Sequence, residues 1–453
     1  MSLLTESMPE IQQYESVAFN TGTLFDLATG YYDQGKDGKF YLTGGLGCQF
    51  NSIVGKNGNF KSTLAAGLIT RSTALYQDSA LMIYDTENSI SQDKERIENM
   101  PEDLKSRLNT KDILWVSSTM YSLEELDELI LQHCIKKQEH MKDLMIETPF
   151  LDRDGKPIKQ IIPTFILIDS LTEAYCDKED EMLNDMKSGR SGMGDSNANT
   201  VYMKDGNKKT LWTRVMRRRC EQYGLVLILT GHYDQKMALD MYHPNPKETV
   251  FGKQDWVVKG CGSKFKFLSS IYARTEAVLL TDANKEALYP YGVTSPKDIF
   301  EVDMYIDRCK SMQAGTCTPF ICSQSTGLLN SATYYNFIRN HEYYGCNGSK
   351  QKQQLKLLPD VTLSRGTIRQ LAESNEQLRR ALEITAHFCF IKDSFYNNLP
   401  YDLNRDPMNL FDWLMSDKNK DLKQEILNSR SYWSYKKEDK PYLSVFDILT
   451  RVK

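Results

Sequence analysis

Five short, mostly apolar runs set the limits on how this chain can fold: FNSIVG (50–55), ALMIYD (80–85), ILWVSS (113–118), TFILIDS (164–170) and LVLILTG (225–231). Their apolarity is continuous rather than alternating, so both faces need cover, which is the condition of strands in a parallel sheet between layers of helices. The stretches 62–77 (STLAAGLITRSTALYQ) and 122–138 (SLEELDELILQHCIKKQ) carry apolar residues at helical spacing and supply those layers. Three later runs, AVLLTD (277–282), FEVDMYIDR (300–308) and TPFICSQ (318–324), alternate more and have no long helix between them. They predict antiparallel strands extending the same sheet. The fold class is α/β: a mainly parallel sheet with helices on both faces, an antiparallel extension, and a small mainly helical C-terminal domain.

At 453 residues the chain is too long for one ordinary core and suits two domains. Residues 1–20 read as a short N-terminal segment, 21–345 as the core, 346–359 as a linker and 360–453 as the helical domain, whose clearest helix is TIRQLAESNEQLRRALEITAHFCF (367–390). The formal net charge of −4 excludes a globally basic nucleic-acid binder and leaves room for a local basic face. Ten cysteines include no CxxC pair, and the closest set, Cys309, Cys317 and Cys322, lacks zinc-site spacing. Reduced thiols in a reducing compartment are expected. The N-terminus has no basic-then-apolar signal, and no apolar run approaches the ~20 residues of a membrane span. The expectation is a soluble cytoplasmic protein (in a host cell, if encoded by a phage) with no membrane partner.

One stretch between the first strand and the first helix carries chemistry. VGKNGNFKST (54–63) fits the phosphate-loop pattern G-x-x-x-x-G-K-[ST] except that Phe60 stands at the second glycine. Gly55, Gly58 and the small Asn59 let the backbone curl, so that N–H groups and the positive helix end meet at one point. Lys61 is placed to reach β- and γ-phosphates, and the Ser62 hydroxyl to hold Mg²⁺; Thr63 completes the nucleotide-binding stretch. Phe60 is tolerable only if its dihedrals suit a non-glycine residue. Asp169 closes an apolar strand, where a carboxylate can hold the magnesium hydration shell. Asp85 and Glu87 follow another, where one carboxylate can activate the attacking water.

The order loop–Lys, strand–Glu, strand–Asp resembles the RecA family of ATP-driven DNA recombinases over roughly residues 20–335. FDLATG and LTGGL ahead of the loop are similar to that family's approach to its first core strand. The T-even phage branch of the family has Phe before the loop lysine, which makes Phe60 a point of similarity. YDTENSI resembles the catalytic-glutamate segment, which implies Glu87 as general base, with Lys61 as its catalytic partner. LIDSL (167–171) is similar to the second magnesium motif. GCGSKFKFLSSIYAR (260–274) resembles the exit of the second DNA-binding loop. YIDRCKSM (305–312) resembles the segment reaching a neighbouring protomer's nucleotide, which implies Arg308 and Lys310 as cations acting in trans. The γ-phosphate sensor falls on Gly231 by strict alignment, or on His232 after a one-residue shift.

Two segments poor in apolar residues, 176–209 and 234–264, follow core strands and exceed ordinary connections. The resemblance implies that they are the two DNA loops. The first offers Lys187, Arg190, Lys204, Lys208 and Lys209; the second offers Lys253, Trp256 and Lys264 among its cations and aromatics, groups that neutralise phosphates and stack on bases. RVMRRR (214–219) reads either as a solvated helix face or as a further DNA contact. The resemblance implies a DNA-dependent ATPase using ATP and Mg²⁺. It would form helical homo-oligomeric filaments on single-stranded DNA and pair them with double-stranded DNA in recombination and repair. A single-strand-binding protein or a loader would be a further partner. The alternatives from the sequence are a ring-forming helicase or translocase of the same fold, and an accessory protein without strand-exchange activity.

Overall fold

The computed structural model describes residues 17–87, 113–117, 122–174, 196–235, 256–258, 261, 265–293, 295–312, 314–393, 410–435 and 440–451. A ten-stranded sheet forms its centre. Its strands are β1 (Phe50–Gly55), β2 (Ala80–Asp85), β3 (Ile113–Ser117), β4 (Thr164–Asp169), β5 (Leu225–Gln235), β6 (Trp256–Val258), β7 (Ile271–Leu279), β8 (Ile299–Cys309), β9 (Cys317–Ser323) and β10 (Gly327–Leu328). The spatial order is β3-β2-β4-β5-β1-β7-β8-β9-β10, with β6 paired to the far end of β5. Pairings from β3 across to β7 are parallel, and those from β7 to β10 are antiparallel.

Continuous apolarity has the consequence expected of it: every residue of β1 and of β4 is buried. One face is covered by α1 (Lys61–Leu75), through Leu64, Ala65, Leu68 and Ile69. The other is covered by α2 (Leu123–Glu139), through Leu126, Ile130 and Cys134, and by α3 (Ser196–Tyr223), through Trp212, Met216 and Cys220. A capping box starts α2: Glu125 N–H donates to Ser122 Oγ at 3.2 Å, and Ser122 N–H donates to the Glu125 carboxylate at 2.8 Å. Such a cap is worth about 1 kcal/mol.

The chain starts the sheet in its middle at β1, steps outward to β2 and β3, then returns to insert β4 and β5 beside β1 before crossing to β7. The crossover after β1 runs one way, toward β2, and the one after its neighbour β5 runs the other way, to β7. In open parallel sheets the crevice at such a switch point, outside the carboxyl ends of the strands, is where ligands bind.

Three expectations need correction. The run 277–282 is only the end of a longer strand: β7 begins six residues earlier, pairs antiparallel with β8 along its length, and in its first half also runs parallel to β1, from Tyr272↔Ser52 to Thr275↔Gly55. Its sheltered half is Ile271–Thr275, whereas the more apolar Val278 and Leu279 are exposed. Nor are residues 346–359 a linker. Cys346–Gly348, Gln353–Leu355 and Leu358–Leu363 form a three-stranded antiparallel sheet, because Leu355, Leu357 and Leu363 are fully buried. The helix over 367–390 is two, Ile368–Ser374 and Glu376–Asp393. Asn375 is extended between them, and its side chain accepts from Leu378 N–H at 2.9 Å to start the second.

The C-terminal region does not stand apart either. Its apolar residues belong to the same cluster as the α1 face of the sheet. Trp433 N–H donates to Asn20 Oδ1 at 3.0 Å, its indole donates to Ala18 O at 3.2 Å, and Tyr76 Oη donates to Trp433 O at 3.1 Å. Phe19, placed in the N-terminal segment by sequence, is fully buried and stacks near Trp433 at 5.5 Å.

Candidate active site

The loop from Gly55 to Phe60 leaves β1 at the switch point and turns directly into α1. It is strapped to β7: Asn59 Nδ2 donates to Thr275 O at 2.9 Å. A Cβ on Gly55 would come within 2.6 Å of Thr275 Oγ1, so glycine is needed there for close approach. Gly58 has φ +78°. Phe60, the N-cap of α1, also lies in the left-handed region, at φ 57° and ψ 25°. The position therefore keeps the backbone a glycine favours, and the condition of unstrained dihedrals is not met. Its ring compensates by packing on Phe300 of β8 at 4.6 Å.

Lys61 follows, 6% exposed, with its ammonium donating to Lys56 O at 3.2 Å. Burial pushes its pKa down, opposed by the carboxylates of Glu87 and Asp169. The Ser62 hydroxyl donates to Asp169 Oδ1 at 3.0 Å, and the Thr230 hydroxyl donates to the same oxygen. Asp169 is fully buried. Burial raises its pKa, and the two hydroxyls act the other way.

Glu87, just beyond β2, meets His232 on β5, with Oε1 and Nε2 2.6 Å apart. The Ser170 hydroxyl donates to the same Glu87 oxygen at 2.8 Å and lies 2.8 Å from Thr172 Oγ1. The His232 hydrogen bond holds Glu87 below the usual carboxylate range; burial opposes it and Ser170 assists. Among the described residues His232 Nδ1 is buried without a partner. Of the two candidate sensors, Gly231 lies opposite Val54 and has no side chain to offer, whereas His232 lies opposite Gly55 and carries the Glu87 contact.

Ser62 and Asp169 supply adjacent oxygen ligands, the donor type that suits Mg²⁺. Among the described residues no group of three or more His, Cys, Asp or Glu side chains could hold a metal ion.

Arg308 and Lys310 are not brought to this loop. They sit at the opposite end of the sheet, where Ser270 N–H bonds Phe50 O and Lys310 N–H bonds Ser270 O. The loop lies five residues farther along β1, roughly 16 Å away. Arg308 Nη1 donates to carbonyls of Lys266, Phe267 and Ser269, and Lys310 Nζ donates to Gln49 Oε1 at 3.2 Å. Burial lowers the Lys310 pKa to about 8, with Arg217 and Arg308 adding to the effect.

Lys187, Arg190, Lys253 and Lys264 lie outside the described residues, as do the side chains of Lys204 and Trp256. The backbone of Lys204 is in α3, so residues 196–209 of the expected first loop are helix. Two of that loop's expected DNA contacts are otherwise engaged: Lys209 is 3% exposed and donates to Thr172 O, and Lys208 pairs with Glu124. The basic run 214–219 divides. Arg219 pairs with Asp127 at 2.6 Å and Arg217 with Glu221 at 3.6 Å, while Arg214 and Arg218 are exposed.

Sequence reasoning missed Thr230, Ser170 and Thr172, which orient the two carboxylates. Their signal was available: Ser170 and Thr172 lie just past the end of β4 and Thr230 sits inside the buried part of β5, places where a polar side chain needs a partner. No family model matches the chain. No curated protein matches it.

Proposed function

We propose that this chain is an ATP-dependent DNA recombinase with a RecA-like core. The observation that carries the reading is the meeting, at the carboxyl ends of β1, β2, β4 and β5, of Lys61, the Ser62–Asp169 pair and the Glu87–His232 pair. These are the parts that phosphoryl transfer requires: a cation for the phosphates, oxygen ligands for magnesium and a carboxylate for the attacking water.

Bound Mg-ATP supplies the phosphoanhydride to be cleaved and the metal charge that eases its cleavage. Backbone N–H groups of the loop and the N-terminus of α1 receive the phosphates. Lys61 adds a desolvated positive charge, which acts more strongly than it could in water. Ser62 and Asp169 hold the metal. Glu87 remains ionised because His232 and Ser170 bond its carboxylate, so it can orient a water and take its proton.

His232 reports the state of the site outward. Its strand continues to Gln235 and pairs with β6 (Tyr233↔Val258 to Gln235↔Trp256), a ribbon at the base of the second long segment. A change at Glu87 therefore lies three residues from the foot of a proposed DNA loop. Single-stranded DNA lies along that loop and its counterpart before α3, the chain assembles as a helical filament, and Arg308 and Lys310 serve the next protomer's site.

Hydrolysis of ATP with and without single-stranded DNA tests this. The account expects magnesium-dependent, DNA-stimulated hydrolysis. Glu87→Gln should lower the rate by a factor of 100 or more while leaving nucleotide-dependent DNA binding in place. Unchanged turnover in that variant would remove Glu87 from the mechanism.

A further inference from the structure

Arg274 is 8% exposed, yet part of its donor set is unused. Its Nε donates to Asp307 at 3.3 Å, its Nη1 donates to Glu276, and the Tyr305 ring lies 4.2 Å from the guanidinium carbon. Among the described residues nothing accepts from Nη2, which leaves a pair of N–H groups on a nearly buried cation. The side chain lines a 230 Å³ cavity whose other walls include Gly55, Lys56 and Asn59 of the phosphate loop and Tyr233 of β5. Register explains the placement: Arg274 lies opposite Val54 and Thr275 opposite Gly55, so β7 delivers the guanidinium beside the first turn of the loop.

The two carboxylates on Arg274 differ. Asp307, 4% exposed, anchors the Nε end in the sheet, whereas the Glu276 side chain is 38% exposed. Because Asp307 keeps the buried guanidinium paired, Nη1 can exchange the water-exposed Glu276 carboxylate for another anion without leaving the charge uncompensated. A phosphoryl group accepts from both guanidinium nitrogens at once, a geometry a lysine ammonium cannot reproduce.

We infer that Arg274 is a cis-acting ligand for the terminal phosphoryl group of the bound nucleotide, which it takes up in exchange for the Glu276 carboxylate. The inference rests on the nucleotide-binding reading above and adds a residue to it. Arg274 discriminates triphosphate from diphosphate within one chain, without a neighbouring protomer. Its strand then passes the difference to Ser269 and Ser270, which lie at the exit of the second long segment; Ser269 Oγ is 2.7 Å from Ser52 Oγ of β1.

The test is calorimetric binding of ADP and of a non-hydrolysable ATP analogue, with magnesium, to the full chain and to two variants. Arg274→Lys keeps the charge beside Asp307 and removes the fork; Glu276→Gln frees the fork. The expected result is about tenfold weaker analogue binding in Arg274→Lys, the worth of one charge-assisted hydrogen bond, several-fold tighter analogue binding in Glu276→Gln, and unchanged ADP affinity in both. An unchanged analogue-to-ADP ratio in both variants overturns the inference and leaves the nucleotide site standing. Equal loss of both nucleotides in Arg274→Lys overturns it too, as the mark of a residue that only braces the loop. If the unaltered chain binds neither nucleotide, the reading beneath it fails instead.

Discussion

Phe60 holds a backbone conformation that costs a non-glycine residue about 1–2 kcal/mol, and its ring recovers part of this by packing on Phe300. Backbone and side chain can be separated by substitution. Phe60→Ala loses the ring and keeps the strain, whereas Phe60→Gly loses the ring and relieves it. Urea unfolding should therefore find Phe60→Gly more stable than Phe60→Ala by about 1 kcal/mol, the reverse of the usual cost of glycine. Equal stabilities, or alanine ahead, would show that the left-handed conformation is not maintained. The loop motif, Glu87 and Asp169 could be read from the sequence because strand ends next to apolar runs are fixed by the pattern itself. The φ of Phe60 could not, because it depends on Phe300, 240 positions away.

At the scale of elements, α2 is pinned by a buried cation. Lys137 Nζ donates to Ile162 O at 2.7 Å and to Thr164 Oγ1 at 3.0 Å, with Gly224 O at 3.5 Å, tying the last turn of α2 to the starts of β4 and β5. Burial lowers its pKa to about 8. Between pH 8 and the ordinary lysine value the unfolded chain holds a proton that the folded chain has released. This contribution to stability therefore rises with pH across that window. Lys137→Met should cost about 1–3 kcal/mol through the carbonyls it leaves unpaired. The gap from the unaltered chain should widen between pH 8 and 9.5 in urea titrations; parallel curves would contradict the assignment. Strands buried on both faces were legible from their unbroken apolarity. The first half of β7 was not, since Arg274 and Thr275 are buried there by ion pairing and by the loop they support. Nor was the sheet at 346–363, where polar residues separate the few leucines that anchor it.

For the whole molecule, the boundary drawn from composition does not divide the core. Phe40 N–H bonds Asp447 Oδ1 at 2.9 Å, Leu42 N–H bonds Tyr442 Oη at 3.2 Å, and Trp433 packs against Phe19 and Tyr76. Core and C-terminal region should unfold in one calorimetric transition; two separated transitions would mean that these contacts do not couple them. The same union leaves the switch-point crevice to the ten-stranded sheet alone, with Arg308 and Lys310 at the opposite end of that sheet, away from this chain's own loop.

That last point makes assembly the most direct test of the central claim, that nucleotide at this site drives polymerisation on DNA. Negative-stain microscopy of the full chain on single-stranded DNA, with magnesium and a non-hydrolysable ATP analogue, should show continuous helical filaments that vanish when nucleotide is withheld. Closed rings, or dispersed monomers under both conditions, would contradict the account.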